Sequence, residues 1–272
     1  MTSTATLAFD DRIYKTTATA AVPTGTLFVS PEGSVMVYQG LKAAVTNDPV
    51  AYGADGTYDI TKGAISFSVG DPVFFDGTDV KDYSSGYVLQ IGKCVKAAAS
   101  GDATVRVRLY PYAKINMLNN QAASAAVTNT TTETAFDKTA IFPANTLNEG
   151  DILQIFAQGI ATATNSTDTL KAKLYIGSTA ICDTGALDVA NNDIFVIDAK
   201  VVIRTAGASG TLIGAGFGYI GTPGTANVKP FSLASTTVDT TAAQTISAKA
   251  TWSVASASNS CRLDILSVAK IN

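Results

Sequence analysis

Apolar and polar residues alternate with a period of two along much of the chain, and this alternation predicts strands. In AISFSV, Ile65, Phe67 and Val69 fall on one face and the two serines between them on the other, which is typical of a strand with one buried face. TVRVRL repeats the pattern, with Arg106 and Arg108 on the polar face. No segment shows a convincing helical period, so we predict an all-β chain.

The predicted strands form two blocks, separated by a stretch of different composition. Residues 1–20 are rich in Thr and Ala without a period, and we predict an N-terminal arm there. Short strands bounded by Gly, Pro, Asn and Asp fill residues 21–114, the first predicted domain. Residues 115–132, dominated by Asn, Gln, Ser, Ala and Thr, predict a linker. About eight longer strands follow in residues 133–272 and favour a jelly-roll-like β-sandwich.

A corner followed by a doubly apolar strand lies at GDPVFFDG. Pro72 removes a ladder donor and the Gly-Asp pair before it favours a turn, so we expect the chain to turn here from one strand into the next. Phe74 and Phe75 then point to opposite faces of the second strand. A strand that is apolar on both faces needs cover on both. We therefore predict that a neighbouring subunit covers one face, and we place Phe74 and Phe75 at a subunit interface.

Composition and charge exclude several classes of protein. The chain has 272 residues, a net charge of −3, 15% charged residues and 46% hydrophobic residues, which favours a folded globular protein. Arg106 and Arg108 form the only local basic cluster, so nucleic acid is not an expected partner. Cys94, Cys182 and Cys261 are too scattered for a disulfide framework and are expected to be buried. No signal sequence or apolar membrane segment is recognisable, so we expect synthesis in a cytoplasm and no membrane partner.

Catalytic patterns are weak or missing. The chain contains no histidine, which removes the commonest general base and metal ligand. GFGYIG (Gly216, Gly218, Gly221) fits a dinucleotide-binding pattern, but the Pro-Gly after it opposes the required helix, which favours close strand packing and a turn. SVAK at residues 267–270 has the spacing of a Ser-Lys pair, but on a strand its two ends point to opposite faces. We therefore predict no catalytic residue and no cofactor.

Carboxylates and the single tryptophan are weaker candidates. Asp79 and Asp82 lie in the loop GTDVKDYSSG, which lacks the acidic spacing of a calcium loop, so we predict a solvated hairpin tip and no metal site. A glycosidase needs two carboxylates that face one cleft, and the sequence neither places nor excludes such a pair. Trp252 suits stacking on a sugar, but its place in the alternation of TISAKATWSV favours core packing.

An ordered series of short motifs runs from Val22 to Leu109. The motifs are a G-x-x-x-V segment, the run Gly70, Asp71, Val73, Phe74, Phe75 and Asp76, the step Ile91, Gly92 and Ala97, and a Ser-Gly-Asp turn before VRVRL. In this order they resemble the small β-barrel capsid decoration, or cement, proteins of tailed bacteriophages. The resemblance covers about a third of the chain.

The resemblance implies a structural role on the outer surface of a virion, after synthesis in the host cytoplasm. Such proteins bind the expanded shell of a major capsid protein, usually as trimers, and an N-terminal arm contributes to the contact. By this resemblance, residues 21–114 are a capsid-binding β-barrel and residues 133–272 project outward. The candidate shell contacts form the one amphipathic patch of the arm: Phe9, Asp10, Asp11, Arg12 and Tyr14. A homotrimer would also supply the cover expected for Phe74 and Phe75.

Two other functions stay open from the sequence. In the first, the chain is a fibre or adhesin whose C-terminal β-sandwich binds a host-surface glycan or receptor, a role that is compatible with attachment to a capsid. In the second, it is an enzyme such as a capsule depolymerase, which requires the carboxylate pair that the sequence does not locate. We favour the structural role and predict that the chain is not an enzyme.

Overall fold

Strands dominate both parts of the chain. The computed structural model describes residues 6–7, 13–18, 21–22, 26–29, 34–38, 43–54, 56–118, 123–163, 165, 167–221 and 227–271. Within these ranges it contains twenty-one strands, one 3₁₀ helix and no α-helix, so the predicted all-β class is confirmed. No helix in the described ranges is long and apolar enough to cross a membrane. The chain divides into two compact units, Met1–Lys114 and Ile115–Asn272.

The N-terminal unit contains two antiparallel sheets. Its strands are β1 Thr6–Leu7, β2 Ile13–Thr17, β3 Leu27–Val29, β4 Val35–Tyr38, β5 Pro49–Ala54, β6 Gly56–Thr61, β7 Pro72–Phe75, β8 Val80–Lys81, β9 Leu89–Lys96 and β10 Thr104–Leu118, with the 3₁₀ helix Tyr83–Ser85 between β8 and β9. The first sheet has the order β1-β2-β5-β4-β3. In the second, β10 pairs with β6 and β9, β9 pairs with β7, and β7 pairs with β8. This arrangement is compatible with the predicted small barrel.

Alternation along β10 follows the prediction. Val105, Val107 and Leu109 are at most 1% exposed and form part of the core, whereas Arg106 and Arg108 are exposed. Their β6 partners in register are Asp59 for Arg106 and Thr57 for Arg108. The period of two therefore places every second side chain of β10 on an outer sheet face.

The predicted strand AISFSV is wrong. Phe67 is buried and forms an isolated bridge with Ala98, but its neighbours pair with no strand, and Val69 is 68% exposed. The physical reason lies in Lys62, which is 6% exposed. Its Nζ donates hydrogen bonds to the carbonyl oxygens of Ile65 and Ala99, both at 2.7 Å, so the carbonyl of Ile65 faces the ammonium group and not a strand partner.

Phe74 and Phe75 do lie in a strand, β7, directly after the predicted corner at Gly70, whose φ of +94° favours glycine. They are 2% and 5% exposed within the single chain. The ring of Tyr83, in the 3₁₀ helix, lies 6.4 Å from the ring of Phe74. The chain itself therefore covers both faces of β7, which removes the reason for placing a neighbouring subunit there. Their place at a subunit interface stays a prediction without that support.

Parts of the predicted arm and linker contain strands. Within residues 1–20, β2 pairs along its whole length with β5, from Ile13 opposite Gly53 to Thr17 opposite Pro49. Within residues 115–132, the end of β10 and a short strand at Val127–Thr128 both pair with the last strand of the chain. The division into arm, capsid-binding domain, linker and projecting domain stays a prediction.

The C-terminal unit is built from two sheets whose inner faces pack together. Its strands are β11 Val127–Thr128, β12 Thr134–Phe142, β13 Ile152–Thr162, β14 Thr169–Ile176, β15 Thr179–Asp183, β16 Leu187–Asp188, β17 Asp193–Thr205, β18 Gly210–Gly221, β19 Asn227–Val238, β20 Gln244–Trp252 and β21 Ser260–Lys270. One sheet contains β19-β18-β17-β13-β21 with β11 beside β21, and the other contains β12-β20-β14-β15 with β16 beside β14. Phe136 of β12 stacks on Phe195 of β17, with 5.8 Å between the ring centroids. This two-sheet packing is that of a β-sandwich.

Candidate functional site

The predicted shell-contact residues fall mostly outside the described part of the chain. Phe9, Asp10, Asp11 and Arg12 lie outside the described residues. Tyr14 lies in β2, where it pairs with Leu7 of β1 on one side and with Tyr52 of β5 on the other. The structure therefore places one of the five residues in a sheet, and their contact with a shell stays a prediction.

The outer face of β9 and β10 carries basic and apolar side chains. On β9, Lys93 and Val95 are exposed and flank Cys94, which is 1% exposed. On β10, Arg106 and Arg108 are exposed on the same side of the strand. Since β9 pairs with β10, these side chains share one sheet face, which we call the β9–β10 face.

Asp59, on the neighbouring strand β6, pairs with Arg106 of this face. Its two oxygens accept hydrogen bonds from Nε of Arg106 at 2.9 Å and from Nη2 at 2.7 Å. The hydrogen bond from Arg106 lowers the pKa of Asp59, so this carboxylate is ionised at neutral pH. Asp59 therefore neutralises Arg106 and leaves the charge of Arg108 uncompensated within the described residues.

Further along β10 the face becomes aromatic. Nζ of Lys114 lies 4.8 Å from the centroid of the Tyr110 ring, within the distance of a cation–π contact. Tyr112 is 61% exposed. Lys96, at the end of β9, adds another exposed cation. The β9–β10 face thus combines positive charge with exposed apolar surface, although the chain as a whole has a net charge of −3.

Four of the described aspartates of the N-terminal unit stabilise turns. Asp48, Asp71 and Asp102 each accept a backbone N–H three residues earlier, at distances of 2.7 to 3.0 Å. Asp76 accepts the N–H groups of Thr78 and Asp79 and pairs with Lys81 at 2.9 Å. These carboxylates therefore fix hairpins and corners of the unit.

The weaker candidates for a calcium or catalytic site have structural partners. Burial raises the pKa of Asp76, but hydrogen bonds from the Asp79 backbone and from Lys81 outweigh it and hold this pKa below its usual value. Asp82 accepts a hydrogen bond from the Ser84 hydroxyl at 2.9 Å. Lys270 of the SVAK segment pairs with Asp151 at 2.6 Å. Among the described residues, no group of three or more Cys, Asp or Glu side chains is placed to hold a metal ion.

The remaining sequence candidates lie within the C-terminal unit. GFGYIG is part of β18, and a Cβ atom at Gly216 would meet the carbonyl oxygen of Asp198 and the ring of Phe231, so this glycine permits close strand packing. Trp252 is 1% exposed, and its Nε1 donates to the carbonyl oxygen of Val127 at 3.2 Å. The indole is therefore part of the core and is not available for stacking on a sugar.

The three cysteines are buried free thiols, as expected. Burial raises the pKa of Cys182 and of Cys261 to about 12, so both stay protonated at neutral pH. A protonated and inaccessible thiol is a poor nucleophile. These cysteines therefore contribute to packing.

An ionic cluster on the second sheet of the C-terminal unit is internally neutralised. Glu133 pairs with Lys173 at 2.9 Å and with Lys249 at 3.6 Å, and it accepts a hydrogen bond from the Tyr175 hydroxyl at 2.7 Å. The hydrogen bond from Lys173 lowers the pKa of Glu133, so the Glu133 carboxylate is ionised at neutral pH. Nζ of Lys249 also lies 4.0 Å from the centroid of the Tyr175 ring. Lys173 also lies 3.8 Å from Asp183 of β15, so the cluster links β14, β15 and β20, and its two lysines are balanced by two carboxylates.

The sequence indicates two residues of the β9–β10 face but not the others. Arg106 and Arg108 were recognised as the outer side of one strand, whereas Lys93 and Val95 were not assigned to the same surface. The alternation in GKCVK indicates that Lys93 and Val95 share one face of a strand. It does not show that this strand lies beside the one with Arg106 and Arg108, because strand pairing depends on contacts between distant segments.

Comparison with known families supports the resemblance found in the sequence. The phage cement protein family model matches residues 8–109. This match confirms the resemblance of residues 22–109 to capsid cement proteins, and it indicates a structural phage protein associated with a capsid. No curated protein is similar to the chain by sequence.

Some solved structures are distantly similar to the chain. They include the structure of infectious bursal disease virus Gt strain, with 11% identity over 95% of this chain and 70% of that chain and a TM-score of 0.27. The crystal structure of the infectious bursal disease virus VP2 subviral particle matches with 12% identity over 98% and 72% of the two chains and a TM-score of 0.24. A. japonicus CB05 matches with 10% identity over 95% and 40% and a TM-score of 0.23. At such TM-scores the similarity carries no argument about function.

Proposed function

We propose that this chain binds the outer surface of an assembled phage capsid and stabilises the shell. The observation that carries the proposal is the match of residues 8–109 to the phage cement protein family. That range falls within the N-terminal compact unit, Met1–Lys114, so we assign shell binding to this unit. Residues 133–272 project from the shell in this proposal, and the major capsid protein of the same virion is the partner.

Stabilisation follows from mass action. A protein that binds an assembled lattice, and not the separated subunits, shifts the equilibrium towards the lattice by RT ln(1 + [L]/Kd) at each site. A shell offers many copies of the same site, so modest affinities add up over the particle. No turnover or cofactor is needed for this role.

The proposal includes a homotrimer and a contribution from the N-terminal arm. Thr6–Leu7 form β1 and pair with β2, and β2 pairs with β5 from Ile13 onwards, so we propose the segment between these two strands as the part of the arm that contacts the shell. The arm contact therefore concerns Phe9 to Arg12 in the first place. Tyr14 belongs to the sheet backbone.

Cosedimentation with shells tests the proposed function. Expanded shells that lack the chain are mixed with the purified full-length protein at micromolar concentration and ordinary salt, then pelleted. We expect saturable binding at a fixed number of copies per capsomer, with little binding to unexpanded shells. Absence of the protein from the pellet of expanded shells at these concentrations would contradict the proposal.

A truncated chain that begins at residue 13 serves as the comparison in the same assay. It keeps β2 and its pairing with β5 and loses only the two-residue edge strand β1, so the other four strands of the N-terminal sheet are retained. We expect weaker binding, because the amphipathic patch of the arm is lost. Unchanged binding of this truncated chain would argue against the arm and would leave shell binding by the rest of the unit in place.

The alternative function is recognition of a host-surface glycan by residues 133–272. Trp252, the aromatic residue considered for stacking on a sugar, is not accessible for that role. Trp252 is the only tryptophan of the chain, and it lies in the core. Capsid binding is therefore the function that the observations favour.

A further inference from the structure

The β9–β10 face contains a groove at its end nearest the predicted corner. The groove has a volume of about 440 Å³ and is lined by Val69, Lys93, Val95, Arg108 and Tyr110, together with Gly70 and Cys94. Most of its lining is apolar. All of these residues belong to the N-terminal unit.

Two valines of the groove are exposed. Val69 is 68% exposed and Val95 is 40% exposed. Val69 lies in the turn before β7, outside any strand, and Val95 projects from β9 beside it. Single exposed apolar residues are common, but two that line one concave surface are a feature of binding sites.

Lys93 and Arg108 give the groove two positive charges. No carboxylate of the described residues forms an ion pair with Lys93 or Arg108. Asp71, next to Gly70 of the groove, accepts a hydrogen bond at its Oδ2 from the backbone N–H of Ser68 at 2.7 Å. The carboxylate of Asp59 is held by Arg106. The groove is therefore apolar in its lining and positive at Lys93 and Arg108.

We propose that this groove is the shell-docking surface of the protein and that it binds an acidic peptide segment with apolar side chains on the outer surface of the capsid protein. The inference rests on the proposed function. Charge complementarity selects an acidic partner, because two unpaired cations attract carboxylates and repel basic segments. The apolar lining selects apolar side chains between those carboxylates, since their burial contributes the larger part of the affinity.

A double charge reversal, Lys93→Glu with Arg108→Glu, tests the docking surface. Both side chains are exposed, so the fold is expected to tolerate the change. The matched control is Lys200→Glu with Lys229→Glu, which makes the same change of net charge on exposed strand positions of the C-terminal unit. Melting temperatures of both variants, compared with the unsubstituted protein, show that each is folded.

Shell affinity is measured by cosedimentation at several salt concentrations. We expect the groove variant to bind expanded shells at least about tenfold more weakly and with a shallower salt dependence, since two attractive pairs become repulsive. The control is expected to bind like the unsubstituted protein.

Three results separate the groove from the proposed function. If the unsubstituted protein fails to bind shells, the proposed function fails, and this inference with it. If it binds and the groove variant binds equally well, the docking surface is wrong while shell binding stands. If the groove variant instead dissociates an oligomer in a native mass measurement, the occupant is a second copy of the chain, which overturns the shell segment as the ligand.

Discussion

Truncation of Trp252 to alanine is expected to lower the free energy of unfolding of the C-terminal unit by about 3 to 5 kcal/mol. The indole is among the largest fully buried side chains of the described residues. Its removal leaves a cavity that the surrounding β-sandwich fills only in part, because strands on both sides are fixed by their hydrogen bonds. The carbonyl oxygen of Val127 also loses the hydrogen bond from Nε1 at 3.2 Å.

Urea unfolding monitored by circular dichroism measures this effect, since the variant has no tryptophan fluorescence. Val254→Ala is the matched control: Val254 is two positions further along the same alternation but is 47% exposed, so its change is expected to stay within about 0.5 kcal/mol. A loss below about 1 kcal/mol for Trp252→Ala would show that the indole is not part of a packed core.

Replacement of Lys62 by methionine is expected to destabilise the N-terminal unit by about 1 to 3 kcal/mol. The ammonium group donates to the carbonyl oxygens of Ile65 and Ala99 at 2.7 Å and approaches those of Gly63 and Ser100 at 3.3 and 3.5 Å. Methionine keeps a similar length and an apolar stem but has no donor. The carbonyl groups then lose their partner, and the two loops lose the group that joins them.

Hydrogen exchange of peptides from the N-terminal unit, together with urea unfolding, measures the loss. Lys96→Met is the control, because Lys96 is exposed at the end of β9, and its effect is expected to stay within about 0.5 kcal/mol. Equal stability of the two variants would mean that the Lys62 ammonium group does not hold the loops together. Faster exchange in residues 62–69 and 98–101 of Lys62→Met alone is the expected pattern.

The alternation of apolar and polar residues predicts strands correctly where the backbone hydrogen bonds between neighbouring strands are uninterrupted. β10 and β20 follow it closely: Ile246, Ala248, Ala250 and Trp252 are all at most 1% exposed. The prediction fails at Val254 because β20 ends at Trp252 and the chain leaves the sheet. It fails at residues 65–69 because the buried Lys62 donates a hydrogen bond to the backbone carbonyl of Ile65. No local sequence pattern indicates that a lysine will take this position.

Contacts between distant segments limited the prediction of sites. The pairing of β2 with β5 joins segments more than thirty residues apart and has no local signature, so the sequence alone suggested an arm. The doubly apolar β7 was recognised, but Tyr83 supplies cover for Phe74 from within the chain. The β9–β10 face cannot be predicted from the sequence without the pairing of β9 with β10. The resemblance to cement proteins does not depend on these contacts, because it rests on the order of short motifs.

The disruption temperature of expanded shells tests the central claim most directly. Shells that lack the chain are heated with increasing concentrations of the full-length protein, and their disruption is followed by light scattering while bound protein is quantified. The account predicts that the disruption temperature rises with the bound amount and stops rising when the sites are full. A disruption temperature that does not change at saturating protein would contradict it.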